Sequence, residues 1–228
     1  MFDQKNGQKK KLSKLKKIIS IKNGKCNVLI IMLKRGYIMD YSELLKKRRS
    51  IRNFEDKKVP LEIIQEMLHE ACLAPSACNT QPWRFIIIQD QQLIKRISDE
   101  SKRCGLAIIE KHPDSIYSKF AESFNNPNYN IFYNAPALIF VVCEKDNPIF
   151  NIDCANAANY LMFAATNKGL GTCWIGLAHP LEYSELKKEI GISENYQIAA
   201  VLALGYPESI PEPAPRNDLI IVNSIGFP

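Results

Sequence analysis

The sequence predicts a layered domain of the α/β or α+β class between Met39 and Pro228. Three apolar runs of strand length alternate along the chain with segments of helical periodicity. Strands that are apolar on both faces must be covered on both faces by helices. The 228 residues are 46% hydrophobic and 24% charged, which is ordinary for a globular protein and sufficient for a sizeable core.

Caps, periodicity and stop residues mark the predicted helices. Asp40 or Ser42 can cap a short helix that ends near Lys47. Pro60 stands at a favoured first helical position, and the apolar residues after it recur at helical spacing as far as Cys72. Further helices are predicted over residues 91–99, 152–167 and 180–190.

The predicted strands are Phe85–Ile88, Ala137–Val142 and Ile198–Leu204, which are short, apolar and rich in residues that favour strands. Residues 100–134 lie between the first two strands and show no clear period, although their aromatic side chains suggest partly helical structure. No internal repeat and no interdomain linker follow Met39.

The formal net charge of +6 is unevenly distributed. Residues 1–38 contain 11 lysines and arginines against one acidic residue, a local charge of +10, whereas residues 39–228 contain 19 against 23, a charge of −4. The mildly acidic domain therefore offers no basic footprint for nucleic acid. We interpret residues 1–38 as a basic N-terminal extension that is disordered, because high charge opposes compaction, and residues 39–228 as the functional domain.

The seven cysteines and three histidines predict neither a metal site nor a disulfide framework. No C-x-x-C pair occurs, and the histidines lie far apart in the sequence. Scattered cysteines in apolar runs are typical of buried thiols in a reducing compartment, so we expect a cytoplasmic protein. The longest apolar run of residues 1–38 has six residues, too few for a secretory signal or a membrane span, and we expect no membrane partner.

Three segments carry residues suited to a flat, anionic ligand. Arg48–Arg52 places three arginines and a serine on five residues, and guanidinium groups bind phosphate bidentately, although a solvated basic turn would have the same sequence. Ala74–Trp83 is a loop dense in amide groups, or simply a surface loop. The glycines of Gly169–Gly176 allow close approach of a flat ligand, although a helix stop followed by a strand also needs them.

In combination these segments resemble the nitroreductase family of FMN-dependent oxidoreductases. The resemblance extends from about Tyr41 to Val222, with its motifs in the family's order. The motifs are RRSIRNF at 48–54, APSACNTQPW at 74–83, GLGTCWIG at 169–176, and GYP at 205–207 followed by Arg216. The resemblance implies an α+β fold with a mixed central sheet flanked by helices, assembled as an intertwined homodimer with two FMN sites at the subunit interface.

The resemblance also implies roles for five basic or hydroxyl residues. Arg48, Ser50 and Arg216 would clamp the FMN phosphate. Arg52 would lie beside the pyrimidine edge of the flavin, and Arg49 would contact the cofactor partly through its backbone. A positive Arg52 at that edge would stabilise the anionic reduced flavin.

The remaining site residues implied by the resemblance lie in the glycine-rich segment and in the polar loop. Ile175 and Gly176 would lie against the flavin ring, with a backbone N–H aimed at its hydride-accepting nitrogen. The partner subunit would contribute Pro75, Ser76, Ala77 and Asn79. No protein side chain is expected to act as a catalytic nucleophile, because the flavin carries the redox chemistry.

The activity implied by the resemblance is hydride transfer in a ping-pong mechanism. NADH or NADPH would reduce FMN and leave, and a nitroaromatic or quinone-like acceptor would then be reduced on the same face. Three alternatives stay open: a reductive dehalogenase, a flavin-destroying synthase, and a flavin-storage or redox-sensing binding protein. The aromatic stretch Tyr117–Tyr133 would select the acceptor.

Overall fold

Helices pack on both faces of an antiparallel sheet in the computed structural model, which describes residues 40–146, 148–223 and 225. The described residues belong to one compact unit, Asp40–Pro228. The expected disorder of the extension 1–38 concerns residues outside the described ranges. No helix of the described ranges is both long enough and apolar enough to cross a membrane.

The helices begin at the residues that the sequence marks as caps. Asp40 accepts a hydrogen bond from the Ser42 N–H at 2.9 Å, Pro60 precedes the second helix, and Asp90 accepts from the Leu93 N–H at 3.0 Å. The helices are α1 (Tyr41–Lys47), α2 (Leu61–Ala71), α3 (Gln91–Lys111), α4 (Ala121–Asn125), α5 (Pro148–Asn167) and α6 (Leu186–Glu189). Turns of 3-10 helix span Ala77–Asn79, Ile116–Phe120 and Gly176–Tyr183.

The sheet has four strands in the order β1-β2-β4-β3, and every neighbouring pair is antiparallel. The strands are β1 (Arg84–Ile88), β2 (Ala137–Glu144), β3 (Gly171–Trp174) and β4 (Tyr196–Gly205). The described residues contain one parallel pairing, an isolated bridge between Ser50 and Thr172 of β3. The α+β class is therefore confirmed, and the parallel component expected of the sheet is limited to that bridge within the described residues.

Alternation along β2 divides the core into two layers. Ile139 and Val141 pack with α2 and α5 on one face, whereas Leu138 and Phe140 pack with α3 and the turn Gly176–Tyr183 on the other. Both central strands are therefore apolar at nearly every position, which explains why the sequence shows apolar runs rather than alternation.

Three elements differ from the sequence prediction. Strand β1 is only partly buried, because it is an edge strand that pairs with β2 alone. Helix α3 continues through the ambiguous region to Lys111. The helix predicted over 180–190 is divided into the 3-10 turn Gly176–Tyr183 and the short α6, because Ser184 between them adopts an extended backbone conformation.

Candidate active site

A cleft of about 520 Å³ opens between the segment after α1, the end of β3 and the aromatic stretch that precedes β2. Arg52 supplies its positive charge, and aromatic and aliphatic side chains supply most of the wall. The lining residues are Arg52, Ile116, Tyr117, Phe120, Tyr133, Cys173, Trp174, Ile175, Gly176, Leu177 and His179. We refer to this cleft as the active-site cleft.

The arginine segment is held against β3 by backbone contacts. Ile51 donates its N–H to the carbonyl oxygen of Thr172 at 2.9 Å, beside the bridge between Ser50 and Thr172. A Cβ atom at Gly171 would lie 2.4 Å from Cγ1 of Ile51, so only glycine permits this approach. Ile51 is buried and Arg52 is exposed, because successive residues of an extended segment point in opposite directions.

Arg52 is fixed by Tyr133 at the mouth of the active-site cleft. Its guanidinium carbon lies 5.8 Å from the centroid of the tyrosine ring, within the range of a cation–π contact. Burial alone would lower the pKa of Arg52, but a hydrogen bond with Tyr133 and the proximity of Cys173 outweigh burial and raise it. Arg52 is therefore positively charged at any physiological pH.

The neighbouring Tyr129 is held in its neutral form. Burial, together with the proximity of Tyr133 and a hydrogen bond with it, raises the pKa of Tyr129 to about 12. Tyr133 itself adopts a left-handed backbone conformation with φ 56°, and Asn134 follows with φ 55°. Consecutive left-handed residues other than glycine are uncommon and are found where the surrounding structure enforces them.

Gly176 forms the open side of the active-site cleft. A Cβ atom built at this position would meet no atom within 4 Å, so the backbone faces free space. Ile175 donates its N–H to the Val201 carbonyl at 2.8 Å and is buried. Ile175 therefore contributes a wall rather than a hydrogen-bond donor, and any donor for a ligand must come from a later residue of the segment.

The side chains of Arg48 and Arg49 differ in their hydrogen-bond partners. Nη1 of Arg49 donates to the carbonyl oxygens of Lys46 and Arg48, so this side chain closes the C-terminal end of α1, and its buried Nε has no partner. Arg48 is half-buried at the helix end. Within the described residues, neither Arg48 nor Arg52 forms an ion pair with a carboxylate, so both charges are available to an anionic ligand.

The polar loop Ala74–Trp83 is tied to α5 rather than to the active-site cleft of its own chain. The Ala77 N–H donates to both carboxylate oxygens of Asp153 at 3.2 Å, and Asp153 is only 4% exposed. The Gln81 N–H donates to Oγ of Ser76 at 3.0 Å, and the Gln81 side chain donates to Oδ1 of Asn79 at 3.1 Å. These bonds fix an irregular loop in a single conformation.

The predicted site residues are therefore only partly brought together. The active-site cleft contains Arg52, Ile175 and Gly176, and Ser50 lies beside its wall, hydrogen-bonded to Cys173. Burial raises the pKa of the Cys173 thiol, and the charge of Arg52 and the hydrogen bond with Ser50 only partly oppose that rise. The loop residues Pro75, Ser76, Ala77 and Asn79 do not line that cleft. Arg216 also lies apart, exposed in a C-terminal segment without regular structure.

Several lining residues were not among the predicted site residues, although most of them carry a signal in the sequence. Trp174 lies within the glycine-rich motif, and Tyr117 and Tyr133 bound the aromatic stretch, so their proximity to the site was within reach of sequence reasoning. His179 was not, because it reaches the cleft only through the 3-10 turn that replaces the predicted helix.

Comparison with known proteins assigns this arrangement to one group. The sequence model of the nitroreductase family matches residues 45–206. The iodotyrosine deiodinase of Thermotoga neapolitana is 30% identical over 182 residues, which cover 78% of this chain and 95% of the relative. A protein of Methanothermobacter thermautotrophicus, provisionally named NADH dehydrogenase/NAD(P)H nitroreductase, is 31% identical over 179 residues, which cover 76% of this chain and 80% of the relative.

A solved structure with bound ligands is similar over most of the chain. It is that of an oxidized iodotyrosine deiodinase bound to FMN and 3-iodo-L-tyrosine. The identity is 30%, the TM-score is 0.66, and the match covers 81% of this chain and 99% of the deiodinase chain.

Proposed function

The chain belongs to the nitroreductase family, and on that premise we propose that it is an FMN-dependent oxidoreductase. It takes a hydride from NADH or NADPH and passes it, through the flavin, to an electron-poor small molecule such as a nitroaromatic or a quinone. The observation that carries the proposal is the position of Arg52, a cation without a carboxylate partner in the described residues, at the mouth of an aromatic cleft beside Gly176.

The residues present fit FMN in both shape and charge. The free space over Gly176 and the aromatic walls of the active-site cleft suit a flat ring. Arg48 and Ser50 lie on the same short segment as Arg52 and suit a phosphate, since a guanidinium and a hydroxyl both donate to its oxygens. Two buried polar atoms have no hydrogen-bond partner among the described residues: Nε of Arg49, within this segment, and Oγ1 of Thr172, on the strand that pairs with it.

The flavin supplies the redox chemistry, and the protein supplies orientation and charge. Arg52 is held by its contact with Tyr133 and lines the cleft, so the protein itself orients this charge toward the site. A preorganised cation stabilises negative charge that develops on a ring beside it, because little reorganisation is needed during the reaction. The apolar wall formed by Ile175 and Leu177 limits access of water to that ring.

We propose that the site is completed in a homodimer. The polar loop and Arg216, both assigned to the site by the family resemblance, lie outside the active-site cleft of a single chain. The C-terminal segment that carries Arg216 exposes a run of large apolar side chains, Leu219–Val222, which a partner subunit would cover. A cytoplasmic location is also proposed, since the six described cysteines are free thiols.

Reductive dehalogenation is the second candidate function. It is favoured by the similarity to the Thermotoga deiodinase and to the structure with bound 3-iodo-L-tyrosine. The aromatic wall formed by Tyr117, Phe120 and Tyr133 would suit a halogenated phenol as well as a nitroaromatic. Both candidates use the same reduced flavin and differ in the acceptor.

One series of assays on purified protein distinguishes the candidates. The flavin released on denaturation is identified first, and NADH or NADPH oxidation is then followed with a nitroaromatic, a quinone or 3-iodotyrosine. We expect FMN, together with acceptor-dependent oxidation that is fastest with the nitroaromatic or the quinone. Release of iodide at a higher rate would favour dehalogenation, loss of the flavin absorbance during turnover would indicate a flavin-destroying synthase, and bound FMN without turnover would indicate a storage or sensing protein.

A further inference from the structure

A second cleft of about 510 Å³ adjoins the active-site cleft, and we call it the side cleft. The two clefts share Tyr117 and His179 as lining residues. One wall of the side cleft is the C-terminal half of α3, and the other includes residues of the turn Gly176–Tyr183. Tyr117 and His179 therefore form the boundary between the two clefts, and a molecule that reacts in the active-site cleft needs to extend only past these two side chains to reach the side cleft.

Among the residues that the structure describes, the side cleft is lined by basic residues and by no carboxylate. Arg103, one of these residues, is already paired with Glu100 at 2.7 Å. Lys111 forms no ion pair in the described part of the chain, and His112 and His179 can each donate a hydrogen bond from a ring N–H in either protonation state. The free donors of the side cleft therefore favour an anion.

The apolar part of the side cleft suits an organic group rather than an inorganic ion. Tyr117 and Tyr183 present aromatic rings, and Ile108 adds an aliphatic surface. Tyr183 is 76% exposed, so its ring is available for stacking by a ligand. Basic donors beside aromatic rings suit a molecule that carries a phosphate or carboxylate close to a flat ring.

The side cleft has no reactive nucleophile. Cys104 lines it, but burial, together with the negative charge of Glu100, raises the pKa of this thiol above its ordinary value. A thiol that keeps its proton is a poor nucleophile. The chemistry of the side cleft is therefore binding alone.

We propose that the side cleft binds the anionic group of a substrate whose reacting part lies in the active-site cleft. This inference rests on the proposed function, because it extends the substrate of that same site. The anion has two possible sources with the same chemistry: the 2′-phosphate of NADPH, which NADH lacks, and a carboxylate carried by an aromatic acceptor. Lys111 and His112 are the specificity-determining residues, since they line the side cleft and not the active-site cleft.

The test compares matched substrates in matched variants of the full-length protein. The double variant Lys111→Gln/His112→Gln removes a charge and a ring donor from the side cleft, and Lys119→Gln removes one charge from an exposed position that lines neither cleft. Steady-state KM values are measured for NADPH against NADH, and for 4-nitrobenzoate against nitrobenzene. Titration calorimetry with adenosine 2′,5′-bisphosphate and with 4-nitrobenzoate provides a readout that needs no turnover.

The double variant is expected to weaken binding of one anionic substrate by about three- to tenfold and to leave its neutral or dephosphorylated counterpart unchanged, since partly exposed charge pairs contribute little each. A rise in KM that is confined to NADPH identifies the phosphate as the ligand, and a rise in KM that is confined to 4-nitrobenzoate identifies the carboxylate. The proposal would be overturned if the double variant changed KM equally for NADPH and NADH and equally for 4-nitrobenzoate and nitrobenzene. It would also be overturned if Lys119→Gln had the same effect as the double variant. If no hydride donor is oxidised, the proposed function fails, and the calorimetric comparison alone decides whether the side cleft binds anions.

Discussion

The guanidinium of Arg52 lies 5.8 Å from the centroid of the Tyr133 ring, which joins the arginine segment after α1 to the aromatic stretch before β2. The backbone turn that contains Tyr133 is fixed by two hydrogen bonds. The Tyr133 N–H donates to the Asn130 carbonyl at 3.0 Å, and the Asn130 side chain donates to the Asn134 side chain at 3.0 Å. The orientation of Arg52 therefore depends on a left-handed turn distant from it in sequence.

Replacement of Arg52 by glutamine should leave FMN bound and make its reduction harder. Loss of the cation removes a charge-assisted contact to the reduced ring, so we expect the midpoint potential to fall by about 30–60 mV for a two-electron couple. Redox titration of the bound flavin measures this shift, and Arg96→Gln, a surface position paired with Glu189, serves as the control. A potential equal to or above that of the wild type would contradict the assigned role.

Arg48→Ala and Arg216→Ala should each weaken FMN binding by about ten- to hundredfold. Each change would remove one of the proposed charge-assisted contacts to the phosphate, worth about 1.5–3 kcal/mol. Titration of the apoprotein with FMN tests this, and Arg48→Lys separates the charge from the forked geometry, since lysine retains only the former. Unchanged affinity in both alanine variants would remove Arg48 and Arg216 from the phosphate site.

Glu100→Gln should destabilise the protein at neutral pH and have little effect in acid. Hydrogen bonds from Arg103 first, and then from Ser184, overcome burial and lower the pKa of Glu100 from 4.5 to about 2. A carboxylate with a depressed pKa contributes stability above its unfolded pKa, and that contribution is lost as the pH falls from about 5 to 2.

The corresponding measurement is the free energy of unfolding of wild type and Glu100→Gln at pH 7, 4 and 2.5. We expect a difference of about 1–3 kcal/mol at pH 7 that shrinks toward zero at the lowest pH. A difference that does not depend on pH would show that Glu100 acts through packing rather than through its charge.

Asp153→Ala should release the polar loop Ala74–Trp83 from α5. The variant removes both oxygens that accept from the Ala77 N–H, and the loss of a buried charged acceptor costs about 1–3 kcal/mol of stability. Asp153→Asn keeps the volume and one acceptor oxygen, so FMN affinity should fall in the order wild type, Asp153→Asn, Asp153→Ala. If both variants bind FMN as the wild type does, the loop does not contribute to the cofactor site.

A chain that starts at Met39 should fold, dimerise, bind FMN and turn over like the full-length chain. Residues 1–38 carry a charge of +10 and none of the site motifs, so their removal leaves the proposed site intact. Flavin content, light scattering and hydride-donor oxidation of the two forms provide the comparison. A monomeric or flavin-free short form would place the extension within the dimer and move the domain boundary.

The parts of the fold that follow from local chemistry were predictable from the sequence. Asp40 and Pro60 mark helix starts because capping depends only on neighbouring residues. Strands β2 and β4 were also recognised, because burial on both faces makes the whole run apolar. The partial exposure of β1 was not predictable, because an edge strand and a central strand can have the same composition.

The candidate site was predictable as a set of motifs but not as an arrangement in space. Ser50 and Thr172 become neighbours only through pairing beside β3, which no local pattern specifies. The contact between Arg52 and Tyr133 depends on a left-handed tyrosine that sequence propensity disfavours. His179 was missed because the predicted helix began only after it, whereas the 3-10 turn Gly176–Tyr183 includes His179 and brings it to the cleft.

The apolar run Leu219–Val222 bears on the quality control of newly made chains. In a single chain these side chains are largely open to water, Val222 at 96%, and the run combines β-branched residues with no internal charge or proline. Short segments of this kind promote cross-β aggregation and are accessible to proteases and chaperones. If the proposed homodimer covers this run, the lifetime of a nascent chain is expected to depend on how quickly it meets a second one, and a chain that stays single stays open to cleavage at this run even though its helices and sheet are correctly folded.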